Sequence, residues 1–157
     1  MDTDYGDKCE LDDYAKMQDF NEKKFKLRDL ARTSSKSSSD ASGYSKDGSF
    51  INIELKSREN GINDYQTLYI ETHKAYSLMD DYLRRNKIPL YVNFMNDGHV
   101  VVFNLIKLKH KPYMKRVKTW SELYQCYEYQ YKAFLKLEDA YIYKKENDTY
   151  ELIQKGW

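Results

Sequence analysis

Cysteine, long apolar runs and net charge are all scarce in this sequence, and each scarcity excludes a class of protein. The 157 residues include only two cysteines, Cys9 and Cys126, which lie far apart and lack the paired spacing of a zinc site. The cysteines therefore indicate neither a disulfide framework nor a zinc knuckle. No apolar run approaches the roughly 18 residues that a membrane-spanning helix needs, so we expect no membrane partner.

The charges are almost balanced. Lys and Arg number 26 against 25 Asp and Glu, so the molecule as a whole exerts no strong pull on a phosphate backbone and any nucleic-acid surface must be local. His73, His99 and His110 share no ligand spacing, which disfavours a zinc site and a histidine-based nuclease. The polar, acidic N-terminus does not resemble a secretory signal, and it predicts a cytoplasmic location.

The length and composition predict one globular domain over residues 1–157. A chain of this size can bury one core but does not comfortably make two domains. Its 16 tyrosines suit both half-buried strands and stacking surfaces, and ordinary core and surface positions are the simpler interpretation.

Hydrophobic periodicity predicts three helices, each followed by a hairpin. The helices are expected at about 11–31, 65–86 and 120–137, and a polar loop is expected at 33–39. Turn signals place the hairpins around Lys46-Asp47-Gly48, Asn96-Asp97-Gly98 and Glu146-Asn147-Asp148. This order predicts an α/β (α+β) fold in which helices flank a central mixed sheet.

The strand predicted at 50–56 carries the residues with chemical potential. Side chains alternate across a strand, so one face is apolar and the other presents Asn52, Glu54, Lys56 and Arg58. A carboxylate is a ligand that Mg²⁺ prefers, and a lysine on the same face could orient water or steady charge on a phosphate. A solvated pair on a polar strand face is the alternative interpretation.

With its context, the stretch Ile51-Asn52-Ile53-Glu54-Leu55-Lys56-Ser57-Arg58 resembles the signature of the PD-(D/E)XK nuclease superfamily. The shared core of that superfamily, the restriction-endonuclease-like fold, runs helix, three strands, helix, strand. The resemblance covers about 14–108, within a predicted core of about 11–108, and leaves a helix and a hairpin at about 109–157 as a C-terminal addition.

The resemblance implies a set of site residues. Glu54 would be a metal ligand, Lys56 the active-site lysine, and Leu55 a further metal position between them. The aspartate of the family falls best on Asp40, although Ser39 stands where the family has proline. Asp47 is the competing carboxylate, but beside a turn glycine it is more simply a turn former.

Helix residues could support this site. Lys74 is the candidate on the helix at 65–86, although a surface ion pair with Glu71 explains it equally well. Glu10 or Glu22 of the first helix could add a carboxylate, and the spacing selects neither.

For nucleic-acid binding we expect the basic residues Arg58, Lys107, Lys109, Arg116 and Lys118, with Tyr113 and Trp120 to stack a base. A solvated basic face is an equal alternative.

The resemblance thus implies a nuclease that uses Mg²⁺, or Mn²⁺ as a substitute, to hydrolyse phosphodiester bonds in DNA. RNA stays open as a substrate, and so does a homodimer. Small proteins of this superfamily are, by analogy, often phage or mobile-element nucleases. The alternative is a catalytically silent nucleic-acid-binding or interaction domain that kept the fold.

Overall fold

The computed structural model describes residues 3–34 and 37–157, which form two α-helices and ten strands. Helix α1 spans Thr3–Phe20 and α2 spans Thr72–Arg85, and neither is long and apolar enough to cross a membrane. The strands are β1 Arg28–Arg32, β2 Ala41–Tyr44, β3 Phe50–Ser57, β4 Thr67–Glu71, β5 Ile88–Phe94, β6 His99–Asn104, β7 Tyr113–Ser121, β8 Cys126–Lys136, β9 Tyr141–Glu146 and β10 Thr149–Gln154.

Seven strands form one mixed sheet in the order β1-β2-β3-β5-β6-β9-β10. Strands β3 and β5 are parallel, because the chain crosses over through α2 between them, and the other neighbours in this sheet are antiparallel. The remaining strands form an antiparallel sheet in the order β4-β8-β7. The predicted fold class is confirmed: a large mixed sheet with two helices is consistent with a restriction-endonuclease-like fold, and α1, β1 to β3, α2 and β5 follow its order with β4 inserted.

The large sheet buries apolar side chains on both of its faces. Helix α1 packs Met17 and Phe20 against one face, where they meet Ile53 of β3. Helix α2 and the small sheet cover the other face through Leu78 and Ile70. Burial on both faces means that the polar side of β3 also lies inside the protein.

The three predicted hairpins are confirmed as β2–β3, β5–β6 and β9–β10. Gly48 and Gly98 in the first two turns have φ angles of 86° and 90°, a region that favours glycine. Asn147 and Asp148 in the third turn also have positive φ angles, as a two-residue hairpin turn requires.

The prediction of a first helix reaching residue 31 is wrong. A π-helical turn, Asn21–Phe25, follows α1, and Lys26 adopts a left-handed conformation that ends the helix. The side chain of Asn21 then accepts a hydrogen bond from the Leu27 nitrogen at 2.7 Å. Strand β1 follows and pairs with β2. Its backbone N–H and C=O groups are thus satisfied by strand pairing instead of by a longer helix.

The other two helix predictions also need correction. The segment Thr67–Glu71 is strand β4, and only the part from Thr72 is helical. The segment 120–137 is the end of β7, a turn and β8, so residues 109–157 contain no α-helix. In both segments the side chains alternate with period two, and the strands satisfy their backbone groups by pairing with each other across about 60 residues of sequence.

Candidate active site

A cavity of about 290 Å³ lies where the start of β2, the middle of β3 and the first turns of α2 meet. Residues of α1, the end of β1 and the polar segments 33–34 and 37–39 complete its lining. Three predicted site residues line this cavity together: Asp40, Glu54 and Lys74. They are 14 and 20 residues apart along the chain, and sheet pairing and the crossover bring them into one place.

Asp40 is fixed against β3 by two hydrogen bonds. Its backbone nitrogen donates to the Ile53 oxygen at 2.9 Å, and its side-chain Oδ2 accepts from the Leu55 nitrogen at 2.9 Å. Burial raises the pKa of Asp40, and the hydrogen bond from Leu55 only partly opposes this. The carboxylate therefore has a fixed position and a cost of ionisation that a bound cation would relieve.

Glu54 lies on the inner polar face of β3, and only 4% of it is exposed. Lys74 on α2 donates from Nζ to Glu54 Oε1 at 2.8 Å, and the same Nζ lies 3.8 Å from Glu71 Oε2. Burial raises the pKa of Glu54 to about 7; Lys74 opposes this, and the charge of Asp40 adds to it. Glu54 is thus poised to exchange a proton near neutral pH.

Lys74 keeps its positive charge. Burial lowers the pKa of its ammonium group, but the neighbouring charge and hydrogen bond of Glu54 outweigh this, and the net pKa is raised. Lys74 also makes the ion pair with Glu71 that the sequence suggested. At 3.8 Å this contact is longer than the 2.8 Å contact between Lys74 and Glu54.

Lys56 and Leu55 occupy different surroundings. Lys56 is on the same side of β3 as Glu54, but it is exposed, and its side chain donates no hydrogen bond to the residues that the structure describes. The Leu55 side chain is buried in the core, while its main-chain nitrogen holds Asp40. In this arrangement Lys74 is the lysine in contact with Glu54.

Asp47, the competing carboxylate, lies in the β2–β3 turn and does not line the cavity. It accepts a hydrogen bond from the Ser45 hydroxyl and another from the Ser49 nitrogen at 2.9 Å. These bonds lower the pKa of Asp47 to about 2. The geometry is that of a turn former.

Arg58 corrects a prediction, because it was expected to contact nucleic acid but is only 8% exposed. Its Nε donates to Asn93 Oδ1 at 2.9 Å, and its Nη2 donates to the main-chain carbonyl oxygen of Tyr69 and to the hydroxyl of Tyr91. The guanidinium also lies 4.4 Å from the Tyr69 ring centroid. Arg58 therefore ties β3 to β4 and β5, and a phosphate would have to break these bonds to reach it.

The other predicted binding residues are exposed. Lys107 and Lys109 lie in the loop between β6 and β7, and Arg116 and Lys118 lie on β7. All four sit outside the cavity.

Asp81 was missed by sequence reasoning. Its Oδ2 accepts from Ser38 Oγ at 2.7 Å and from Asn52 Nδ2 at 3.2 Å, and its Oδ1 accepts from Arg85 at 2.7 Å. It thus joins the polar run before Asp40 to β3 and α2. No local pattern could have revealed it, because Ser38 and Asn52 lie 43 and 29 residues away.

Glu10 is the carboxylate of the first helix that the structure selects over Glu22. It lines the cavity, pairs with Arg32 at 3.0 Å, and its charge contributes to the raised pKa of Asp40. Glu22 is exposed and is not part of the cavity lining.

The carboxylate oxygens in the cavity determine which metal could bind. Within residues 3–34 and 37–157 no group of three or more His, Cys, Asp or Glu side chains is arranged to hold a metal ion. Asp40 and Glu54 each use one oxygen in the bonds above, and within the described chain no donor bonds to Asp40 Oδ1 or Glu54 Oε2. Two hard carboxylates of this kind fit Mg²⁺, which keeps several waters and needs only one or two protein carboxylates.

Comparisons with known proteins give little more. The chain matches no protein-family model, and no curated protein matches it significantly. Among solved structures it is similar to Hjc, a Holliday junction resolvase from the archaeal hyperthermophile Archaeoglobus fulgidus, with 13% identity and a TM-score of 0.42. The match covers 66% of this chain and 66% of the resolvase chain, so this chain spans just under two thirds of that protein. At that TM-score the similarity carries no argument about activity.

Proposed function

We propose that this chain is a metal-dependent nuclease that hydrolyses phosphodiester bonds in DNA. The observation that carries the proposal is the cavity in which the carboxylates of Asp40 and Glu54 meet the ammonium group of Lys74. Carboxylates suit a hard divalent cation, and a fixed ammonium beside them suits the charge that develops on a phosphate. We propose that residues 1–157 act as one nuclease domain.

Each residue has a distinct role in this proposal. Asp40 and Glu54 hold Mg²⁺ or Mn²⁺, and Leu55 supports the site by holding Asp40. The bound metal would polarise the phosphate and lower the pKa of a water molecule. Lys74 favours the ionised form of Glu54 and offers positive charge to the phosphate. Lys56, exposed on the same side of β3, would reach the substrate from the solvent side.

One observation favours a catalytically silent nucleic-acid-binding domain instead. The ammonium of Lys74 already neutralises Glu54, and the described residues supply no third acidic or histidine ligand in a metal-binding arrangement. A lysine–glutamate pair of this kind could serve the fold alone. The two functions differ in whether metal-dependent cleavage occurs.

The test is cleavage of supercoiled plasmid and of labelled single-stranded DNA by the purified protein, with Mg²⁺, with Mn²⁺ and with EDTA. We expect cleavage with either metal and none with EDTA, because in the proposed mechanism the nucleophile is a water molecule that the metal activates. Asp40→Asn and Glu54→Gln should each lower turnover by about 100-fold or more, while DNA binding largely survives.

Asp47→Asn is the matched control, since it also neutralises an aspartate near β2 but lies outside the cavity. It should retain normal turnover. Cleavage that persists in EDTA would contradict the metal mechanism. DNA binding without cleavage under any metal would support the silent domain.

A further inference from the structure

The β7–β8 hairpin continues beyond the small sheet as a two-stranded ribbon. Strand β4 pairs with β8 only from Glu71, opposite Lys132, to Thr67, opposite Lys136. From Cys126 to Tyr131, β8 pairs with β7 alone among the described strands. Six residues of strand extend about 20 Å, so the ribbon projects well past the sheet.

One side of this ribbon carries cations and a tryptophan on β7 and three tyrosines on β8. The register places Arg116 opposite Tyr131, Lys118 opposite Tyr129, and Trp120 opposite Tyr127, and residues that face each other across a pair lie on the same side. We call these six residues the ribbon face. All six are exposed, the three tyrosines by 60% to 63% and Trp120 by 43%.

Five of the six side chains of the ribbon face contact one another. The Arg116 guanidinium lies 4.2 Å from the Tyr129 ring centroid, and Lys118 Nζ lies 4.9 Å from that of Tyr127. Trp120 meets Tyr127 edge to face, with 5.0 Å between ring centroids. The rings are thus oriented in advance, and their exposure shows that each still offers surface to a ligand.

The ribbon face carries no carboxylate. Glu128 pairs with Thr119 and so lies on the opposite side of the ribbon. The ribbon face thus offers four aromatic rings next to two cations. A ligand that fits it should repeat flat rings and negative charges, and a nucleic-acid strand has this chemistry. A duplex hides the faces of its bases in the stack, whereas an unpaired strand exposes them.

We propose that the ribbon face binds an unpaired nucleic-acid strand, with bases stacked on the tyrosines and Trp120 and phosphates bound by Arg116 and Lys118. The inference rests on the proposed nuclease function and names its substrate class: nucleic acid with a single-stranded segment. The base of the ribbon adjoins the candidate active site, because Glu71 opposite Lys132 lies 3.8 Å from the Lys74 ammonium. The ribbon face lies on the opposite side of β8 from Lys132, so a bound strand would be anchored on an element that adjoins the site and not in the cavity itself.

The experiment measures binding of a labelled single strand and of a blunt duplex of equal length by fluorescence anisotropy, with every protein in a Glu54→Gln background that does not cut. We expect the single strand to bind at least about tenfold more tightly than the duplex. Tyr127→Leu with Tyr129→Leu should weaken single-strand binding about tenfold or more, since stacking on each ring contributes to affinity. Circular dichroism and a thermal melt check that the variant folds.

Tyr44→Leu with Tyr76→Leu is the matched control. Both tyrosines are exposed, by 36% and 61%, but Tyr44 lies on β2 and Tyr76 lies on α2, away from the ribbon face. This variant should bind the single strand like its parent. Equal losses in the two double variants would overturn the proposal.

Tryptophan fluorescence gives a second readout that does not depend on the stability of the tyrosine variants. The sequence has two tryptophans, so Trp157→Phe leaves Trp120 as the sole reporter. A stacked base should quench Trp120, and the duplex should not. Unchanged Trp120 emission on saturation with single strand would overturn the proposal, as would self-association through the ribbon face that the tyrosine variant abolishes without affecting oligonucleotide binding.

These outcomes separate the inference from the proposed function. Metal-dependent cleavage of DNA with no effect of the ribbon variants would remove the inference and leave the nuclease. Single-strand binding through the ribbon face with no cleavage would leave the inference and remove the nuclease.

Discussion

At the scale of single residues, the most informative contact is the one between Glu54 and Lys74. The strand pattern predicts Lys56 as the partner of Glu54, because alternate residues share a face. The structure adds α2, whose Lys74 approaches Glu54 from above the sheet at 2.8 Å, while Lys56 is exposed. Burial disfavours the charged form of Glu54 and raises its pKa, and the cation of Lys74 partly offsets this effect.

The contact between Glu54 and Lys74 predicts a pH dependence of metal binding. The pKa of Glu54 is raised to about 7, so its proton competes with the metal below that pH, and Mn²⁺ affinity should fall as the solution is acidified through about pH 7. Lys74→Met removes the charge that lowers this pKa, and the midpoint of the fall should move up by about one pH unit. Isothermal titration calorimetry between pH 5.5 and pH 9 measures the Mn²⁺ affinity and locates the midpoint of its fall.

Lys56→Met is the control for that measurement, because it removes a lysine of the same strand face that does not contact Glu54. Its midpoint should stay at the parent value. A shift in Lys56→Met with none in Lys74→Met would mean that the wrong lysine has been paired with Glu54.

At the scale of elements, the polar run before β2 is held in place by α2. Asp81 on this helix accepts hydrogen bonds from Ser38, two residues before Asp40, and from Asn52 on β3. This arrangement makes Asp81 a positioning residue for Asp40. It acts through the backbone that precedes Asp40 and touches no proposed metal ligand.

Asp81→Ala should therefore weaken Mn²⁺ binding by about tenfold while the protein stays folded, since losses of this size are typical when a residue that orients a ligand is removed. Asp80→Ala is the matched control: Asp80 is the neighbouring aspartate, is exposed and pairs with Arg84 at 2.9 Å. Calorimetry gives both affinities. Equal affinities in the two variants would show that the polar run does not depend on Asp81.

Strand β8 shows how element type was decided. Its sequence alternates Tyr127, Tyr129 and Tyr131 with polar residues, a period-two pattern that favours a strand. The prediction of a helix at 120–137 did not take this alternation into account. Strand β4 is different, because Leu68 also has helical spacing to Thr72 and Ala75 of the helix that follows, and pairing with β8 decides that the segment is a strand.

At the scale of the whole molecule, the balanced charge requires that any attraction for DNA be local. Lys107 and Lys109 are exposed in the loop that leads into the ribbon, which itself carries Arg116 and Lys118. If these residues bind phosphates, they form one basic path with the ribbon. A nearly neutral protein would then have a salt-dependent affinity that a few residues determine.

Lys107→Gln with Lys109→Gln should weaken duplex DNA binding and flatten its salt dependence, because each lost phosphate contact removes about 0.9 from the slope of log affinity against log salt. The slope is measured from about 50 to 200 mM salt. Lys24→Gln with Lys46→Gln, two exposed lysines in the π-helical turn after α1 and in the β2–β3 turn, should leave the slope unchanged. An unaltered slope in the first variant would make Lys107 and Lys109 a solvated face.

The sequence by itself determined the hairpins, the core side of β3 and the residue types at the site, because turn chemistry and alternation are local properties of the chain. It also placed Asp40, Glu54 and Lys74 among the candidates. Only the tertiary structure decided that Lys74 contacts Glu54, that Arg58 is buried, and that β4 and β8 are strands. Each of these depends on partners 11 to 69 residues away, and such pairings are fixed by packing and by backbone hydrogen bonds that no local pattern contains.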